Sequence, residues 1–431
     1  MLDINTVTVI GASGNVGKKI AGIFASFGDA KVYCVSRNKE KIKRIIPEIV
    51  TSVRAESIIG NLIPADYSDL PSCIKKSDLI FESCSEDLET KSEIARIVSD
   101  NMKNNSISCT GTSGISINSI VDYYSPDKRS MFFGVHMFNP PYTLTLCELI
   151  PTRYSNLDKK NDLKNYLSTV LKRTVIETSD CAAFLANRIG FMFINKAMQL
   201  ANDYKSKGGI DYIDNIFGPV TGRVMPPLVT ADFVGLDVHK AIVDNLFHNT
   251  DDYFNKLFKI PKFTDQLISK NKIGNKVGQG LYQTKILDNG NKVIKVWDIV
   301  SGRYRLTRKY EFEFISKMQS FIKEGDYVNA YKALIFDKSK ESDICLKGLL
   351  EYISYSVYCA LELTSDVFSC DYAMASGFNW CPPLALADLI NSVISISKLF
   401  NDYGINIPKG IDFKNLHLSN HYYGPFIRAK R

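Results

Sequence analysis

His136 and Glu148 stand twelve residues apart in the segment Gly134-Val-His-Met-Phe-Asn-Pro-Pro-Tyr-Thr-Leu-Thr-Leu-Cys-Glu-Leu-Ile150. An imidazole backed by a carboxylate is an acid–base pair. The carboxylate selects the ring tautomer and stabilises the imidazolium formed when the other nitrogen takes a proton. Such a pair suits oxidation of a secondary alcohol, in which a base removes the hydroxyl proton while hydride leaves for a nicotinamide. A lone histidine in an apolar strand is more often a core residue, so the pair needs support from elsewhere. The glycine-rich run Gly11-Ala-Ser13-Gly14-Asn15-Val16-Gly17 supplies it. Glycines between a strand and a helix permit a tight turn and let a pyrophosphate approach backbone N–H groups at the helix N-terminus.

The elements that must position these groups are legible in outline. Thr6-Val-Thr-Val-Ile10 reads as a buried strand, residues 18–27 as a helix and 31–35 as a second strand. This is the first βαβ unit of a doubly wound nucleotide-binding domain. Residues 77–86 and 106–113 read as later strands ending beside a cofactor. The segment with His136 and Glu148 completes the sheet, followed by a helix over 162–171 and a closing strand over 174–178. From Asp180 the pattern turns helical, with a helix expected over 182–204. Pro226-Pro-Leu-x-x-Ala-Asp232 recurs as Pro382-Pro-Leu-x-x-Ala-Asp388, displaced by 156 residues, each copy following a helical run with an acidic residue, Asp214 or Asp371. The repeat predicts a duplicated helical module. The fold class is therefore an α/β Rossmann-type N-terminal domain followed by all-α C-terminal domains with an internal duplication. The expected domains are 1–180, 181–285, a connector over 286–335, and a second, degenerate helical domain over 336–431.

Composition narrows the function classes. A chain of 431 residues with 45% hydrophobic and 23% charged residues has the make-up of a soluble globular protein with more than one domain. A net charge of +7 from 53 basic and 46 acidic residues, without a dense basic run, gives no reason to expect nucleic acid. The ten cysteines are scattered singly, which reads as reduced thiols in a cytoplasmic setting. His417 and His421 lie four apart without a metalloprotease pattern, and no metal site is expected. Neither a leader at Met1 nor an apolar run able to span a bilayer is evident, so no membrane is expected. Tyr124-Ser-Pro-Asp-Lys128 has the Tyr-x-x-x-Lys spacing of short-chain dehydrogenases, but Pro126 opposes the single helix face that pair requires.

The segment around His136 resembles the active-site region of the 3-hydroxyacyl-CoA dehydrogenases, and the resemblance continues along the chain. Ser77 to Lys91 is similar to the family's Ala-Asp-Leu-Val-Val-Glu-Ala…Glu-Asn-Leu-x-x-Lys segment, which implies that Glu86 and Lys91 contact the cofactor. Thr112-Ser113 resembles a turn whose serine contacts substrate. Phe184-Leu-Ala-Asn-Arg-Ile189 resembles a helix start that places Asn187 by the substrate carbonyl. Val234-Gly-Leu-Asp237 matches a helical-domain signature, and Asn271 to Tyr282 resembles a closing motif with Lys276 directed to the cofactor. The resemblance implies His136 as acid–base, Glu148 as its partner, Ser113 and Asn187 on substrate oxygens, and Gly11, Ser13, Gly14, Asn15, Val16, Gly17, Ser36, Arg37, Glu86, Lys91, Asn139 and Lys276 on an NAD(P) cofactor. It implies an acyl-CoA or related thioester as substrate.

Departures from the family pattern shape further expectations. The glycine turn carries an extra residue, Gly111 replaces an asparagine, and Ala182-Ala183-Phe184 replaces Pro-Gly-Phe. Ser36-Arg37 replaces the aspartate that binds ribose hydroxyls, which tilts the expectation slightly towards NADP over NAD. The region after Arg37 is short for a CoA-binding arm but keeps Lys39, Lys41, Lys43 and Arg44 in a helical run. Other readings are a reductase of a different 3-oxo acid or carrier-bound thioester, and a non-catalytic dinucleotide-binding regulator. Family members with one helical module pair as homodimers. A second module in the chain implies an intramolecular pseudo-dimer, with homo-oligomers through other faces still open.

Overall fold

The computed structural model describes residues 2–223, 225–286 and 292–413. It divides into two compact units, residues 1–184 with 363–365, and residues 185–362 with 366–431. His417 and His421 lie outside the described residues.

The first unit is built on an eight-stranded sheet: β1 Thr6–Ile10, β2 Lys31–Ser36, β3 Leu62–Asp66, β4 Leu79–Glu82, β5 Ile107–Thr110, β6 Phe132–Met137, β7 Leu146–Pro151 and β8 Thr174–Glu177. The strand order is β3-β2-β1-β4-β5-β6-β7-β8. All neighbours are parallel except β6 and β7. β4, β5 and β6 are buried at every position, because helices cover both faces of a parallel sheet and leave no solvated side. The chain reverses its direction of growth at β1, between β2 and β4, and ligands of doubly wound folds sit beyond the carboxyl ends of the strands at that point.

Element boundaries differ from the sequence expectation where side chains cap them. The helix expected over 162–171 runs Leu157–Asn165 and passes into a π-helical turn, Tyr166–Val170. It starts early because the Asn156 side chain accepts the Lys159 N–H at 3.0 Å. The helix expected from 182 begins at Ala186, because Ala183 and Phe184 have φ of 59° and 53°, which no right-handed helix accommodates.

The second unit contains two helical modules and a small sheet. The first module comprises Ala186–Asp203, Ile210–Ile216, Pro227–Val234, Leu236–Asn249 and Lys262–Ser269. An antiparallel sheet of β9 Tyr282–Ile286, β10 Lys292–Asp298 and β11 Arg303–Leu306 follows, then helices Glu313–Glu324 and Tyr327–Ile335. The second module comprises Lys340–Leu363, Ser369–Gly377, Pro383–Asn391 and Ile396–Asp402.

The sequence repeat has a physical basis. Asp214 accepts the Leu228 N–H at 2.8 Å, and Asp371 accepts the Leu384 N–H at 2.7 Å. Each buried carboxylate thus satisfies the first turn of a helix opened by Pro-Pro-Leu. The modules also exchange contacts reciprocally. A methyl group on Gly190 of the first would meet the Phe378 ring of the second at 2.3 Å, and one on Gly348 of the second would meet the Phe217 ring of the first at 2.5 Å. Between them, the buried guanidinium of Arg223 lies over the rings of Phe193, Trp380 and Tyr352, with its carbon 3.9, 4.7 and 5.0 Å from their centroids.

The expectation that no apolar run could span a bilayer needs one correction. Lys340–Leu363, 24 residues with a mean hydropathy of 1.2 in its most apolar window, is long and apolar enough by composition. Within the protein 78% of that window is buried, so its apolarity is that of a core helix.

Candidate active site

Register brings the acid–base pair together. β6 and β7 run antiparallel with His136 directly opposite Glu148, so both side chains project from the same face of the sheet. His136 Nδ1 lies 2.7 Å from Glu148 Oε2, and Glu148 is fully buried. With Nδ1–H donating to that carboxylate, Nε2 is the nitrogen left for chemistry. It lies 3.0 Å from Ser113 Oγ. Phe138 meets the imidazole edge-on at 4.7 Å between centroids and Phe184 lies at 5.6 Å, giving the ring apolar walls.

Two carboxylates hold the turn that carries Ser113. Glu86 Oε1 accepts the N–H groups of Ser113 and Gly114 at 2.7 and 2.8 Å and the Thr112 hydroxyl at 2.5 Å. Behind it, Glu82 accepts the Thr110 hydroxyl at 2.6 Å and binds Lys91 Nζ through both oxygens, at 3.0 and 2.9 Å. Lys91 Nζ also lies 3.6 Å from Glu86 Oε2. Only 2% of Lys91 is exposed, so its ammonium serves these two carboxylates from inside the fold. Glu86 likewise acts on the Ser113 turn here.

The glycine turn has the geometry a dinucleotide requires. Gly11 has φ of 85°, and a methyl group there would sit 2.3 Å from the Ser83 carbonyl oxygen; one on Gly17 would sit 2.3 Å from the Gly11 carbonyl oxygen. The turn is closed by Gly14 N–H donating to Gly11 O at 3.0 Å and leads into the helix Gly17–Ser26. Gly14 and Asn15 are exposed, and Ser13 and Val16 partly so. This backbone cradle, which larger side chains would fill, fits a dinucleotide phosphate.

At the end of β2, Ser36 is buried, with its hydroxyl donating to Asn38 O at 3.0 Å, while Arg37 is exposed. Asn38 caps the helix Lys39–Val53. Lys39 pairs with Asp69 at 2.8 Å and Lys43 with Glu40 at 2.6 Å, so two members of the basic run already have acidic neighbours. Asn139 is exposed and accepts from Lys19 Nζ at 2.7 Å.

In the second unit, Asn187 is the second residue of the helix Ala186–Asp203 and is 7% exposed. Its neighbour Arg188 is an anchor, donating to Asp252 at 2.7 Å and to the Tyr355 hydroxyl at 3.0 Å. Lys276 Nζ binds Asp237 Oδ2 at 2.6 Å. This contact joins the Val-Gly-Leu-Asp signature to the closing glycine motif beside Gly235, whose φ of 106° disfavours a side chain and where a methyl group would sit 2.8 Å from Asp237 Oδ1 and 3.1 Å from Lys276 Nζ.

Two family descriptions match the chain: the NAD-binding domain of 3-hydroxyacyl-CoA dehydrogenase over residues 6–181, and its C-terminal domain over residues 184–284. The chain belongs to the 3-hydroxyacyl-CoA dehydrogenase family. It is 29% identical over 376 residues to a probable 3-hydroxyacyl-CoA dehydrogenase of Bacillus subtilis (strain 168), a match covering 86% of this chain and 46% of that protein. It is 24% identical over 425 residues to a putative fatty acid oxidation complex trifunctional enzyme of Rickettsia felis, covering 93% of this chain and 56% of that protein. The chain thus spans about half the length of these two relatives. In fold it resembles the 3-hydroxybutyryl-CoA dehydrogenase of Escherichia coli K12, with a TM-score of 0.68 at 19% identity over 94% of this chain and 96% of that one.

Family membership assigns a nicotinamide cofactor to the first unit. The structure adds residues that the sequence reading did not single out. Glu82 was visible only as the end of an apolar strand, and Lys19 as part of a helix. Arg223, in the loop before the helix Pro227–Val234, and the buried His239, which meets Asn195 Oδ1 at 3.1 Å, gave no signal because isolated polar residues in a loop or an amphipathic helix resemble surface positions.

Proposed function

We propose that the protein interconverts 3-hydroxyacyl and 3-oxoacyl thioesters with a nicotinamide dinucleotide as redox partner. The observation that supports this most directly is the continuous arrangement Ser113 Oγ, His136 Nε2, His136 Nδ1 and Glu148 Oε2, with steps of 3.0 and 2.7 Å. In oxidation His136 Nε2 takes the hydroxyl proton, and in reduction it returns it. Glu148 stabilises the imidazolium in between. The Ser113 hydroxyl orients the reacting oxygen, and Asn187 keeps the role implied by resemblance, as a donor to a substrate oxygen. Phe138 and Phe184 exclude water from the imidazole. The nicotinamide, when bound, supplies or accepts the hydride.

The test follows nicotinamide absorbance with acetoacetyl-CoA. His136→Gln should lower turnover by roughly 10²- to 10⁴-fold while dinucleotide binding changes little. Turnover near that of the parent protein would overturn the mechanism. Comparing acetoacetyl-CoA with free acetoacetate separates a second reading, a reductase of a different 3-oxo acid. The ion pairs of Lys39 and Lys43 favour that reading, because they compete with CoA phosphates for the basic run.

We further infer a preference for NADPH. Ser36 puts a neutral side chain at the end of β2, and the exposed Arg37 offers a 2′-phosphate a forked, charge-assisted contact. A higher kcat/KM with NADH than with NADPH would overturn this. The reciprocal packing of Gly190 with Phe378 and Gly348 with Phe217 supports a pseudo-dimer in which the second module takes a partner's place. The ten cysteines, eight of them buried and none in a disulfide among the described residues, suit a reducing, cytoplasmic setting.

A further inference from the structure

Lys18 and Lys19 are consecutive residues on the first turn of the helix that leaves the glycine turn, yet they have different surroundings. Lys18 is neutralised by Glu48 at 2.9 Å. Lys19 Nζ meets a neutral group, the Asn139 side-chain oxygen, at 2.7 Å. Partial burial and the neighbouring Lys18 charge push the Lys19 ammonium below its ordinary pKa, and no carboxylate among the described residues offsets them. The Lys19 ammonium thus has a neutral hydrogen-bond partner where that of Lys18 has a carboxylate, which leaves its charge available to an anion.

Its place in the fold indicates which anion. Lys19 follows Gly17 by two residues, and its backbone N–H donates to the carbonyl of Val16 in the glycine turn at 3.0 Å. Its other end is fixed by the loop that leaves β6, the strand carrying His136. Asn139 lies in that loop, and Tyr142 in the same loop donates its hydroxyl to the Lys19 carbonyl at 2.9 Å. Lys19 therefore bridges the cradle for the dinucleotide phosphates and the loop beside the acid–base pair. A dinucleotide reaching from one to the other carries its nicotinamide-side phosphate in this stretch.

We propose that Lys19 is a cofactor-binding residue whose ammonium, positioned by Asn139, pairs with the nicotinamide-side phosphate of the dinucleotide. The inference rests on the dinucleotide assignment but not on the thioester substrate. Asn139 then acts as a positioning residue: it holds the ammonium in place before the cofactor arrives, so that little side-chain freedom remains to be lost on binding.

The test is calorimetric titration of the full chain, and of Lys19→Met, Lys19→Gln and Lys19→Arg, with AMP and ADP, and fluorescence titration with NADH. AMP carries only the adenosine-side phosphate, whereas ADP adds the phosphate group that Lys19 would meet. Lys19→Met and Lys19→Gln should weaken ADP and NADH about tenfold or more, as expected on losing a hydrogen bond between charged groups. AMP should stay within about twofold, and Lys19→Arg should keep most of the affinity. Circular dichroism identifies variants that fold, and the glutamine variant retains a donor to Asn139 if the methionine one does not fold. ADP and NADH binding unchanged in folded variants would overturn the assignment, as would an equal loss for AMP. A parent protein binding neither ADP nor NADH would overturn both this assignment and the cofactor reading. Normal parent binding with unchanged variants would overturn the lysine alone.

Discussion

Glu86 accepts the backbone N–H of Ser113 at 2.7 Å, so the turn that presents the Ser113 hydroxyl to His136 is held from behind by a carboxylate. The same oxygen also holds Thr112 and Gly114, and Lys91 lies 3.6 Å from the other. Removing this carboxylate frees three donors at once. Glu86→Ala should therefore lower turnover by roughly 10- to 100-fold, because misplacing a positioned group costs on this scale. Steady-state kinetics checks this, and unchanged kcat would show that the turn holds its shape unaided.

Ala183 has φ of 59° at a position where the family pattern carries glycine. An L-residue with a side chain pays roughly 1–2 kcal/mol for the left-handed region, partly offset by the greater unfolded-state freedom of glycine. Ala183→Gly should stabilise the protein by about 0.5–1 kcal/mol in urea unfolding. A loss of stability would show that packing of the buried methyl group outweighs the strain.

Burial raises the carboxyls of Asp214 and Asp371 from an ordinary 3.8 to about 7. A group whose folded pKa exceeds its unfolded one stabilises the fold fully below the unfolded value, and that contribution is lost as pH rises through the folded value. Their share of stability should thus decline between about pH 4 and 7 and level off above. The Asp214→Asn/Asp371→Asn double variant keeps an acceptor for the helix N–H groups and should show a shallower decline over this range than the parent. Equal pH slopes in denaturant titrations would contradict this.

Phe191 of the first module packs against Phe378 of the second, and Phe193 against Tyr352 and Trp380. Truncation near residue 290 should expose this surface and produce aggregation or new dimers in sedimentation velocity, since large exposed apolar patches associate. A truncated protein that stays monomeric and soluble would exclude a pseudo-dimer.

The glycine turn, the strand–helix–strand opening, the spacing of His136 and Glu148 and the repeated Pro-Pro-Leu-x-x-Ala-Asp motif were all legible in the sequence. Each is local: a backbone conformation, a periodicity or a short cap imposes its residues over a few positions. The motif's flanking acids could be noted but not explained, since the amides that Asp214 and Asp371 cap lie more than ten residues further along. Only the tertiary structure decided that His136 and Glu148 are directly opposite, because antiparallel register depends on how β6 and β7 meet. It also placed Lys91 inside the fold, between Glu82 and Glu86. A lysine in an amphipathic helix carries no sign of its burial until the strand beside it brings a carboxylate to pair with the charge. Likewise, Lys19 reads as an ordinary helix residue until the loop after β6 brings Asn139 to its ammonium, 120 positions away in the chain.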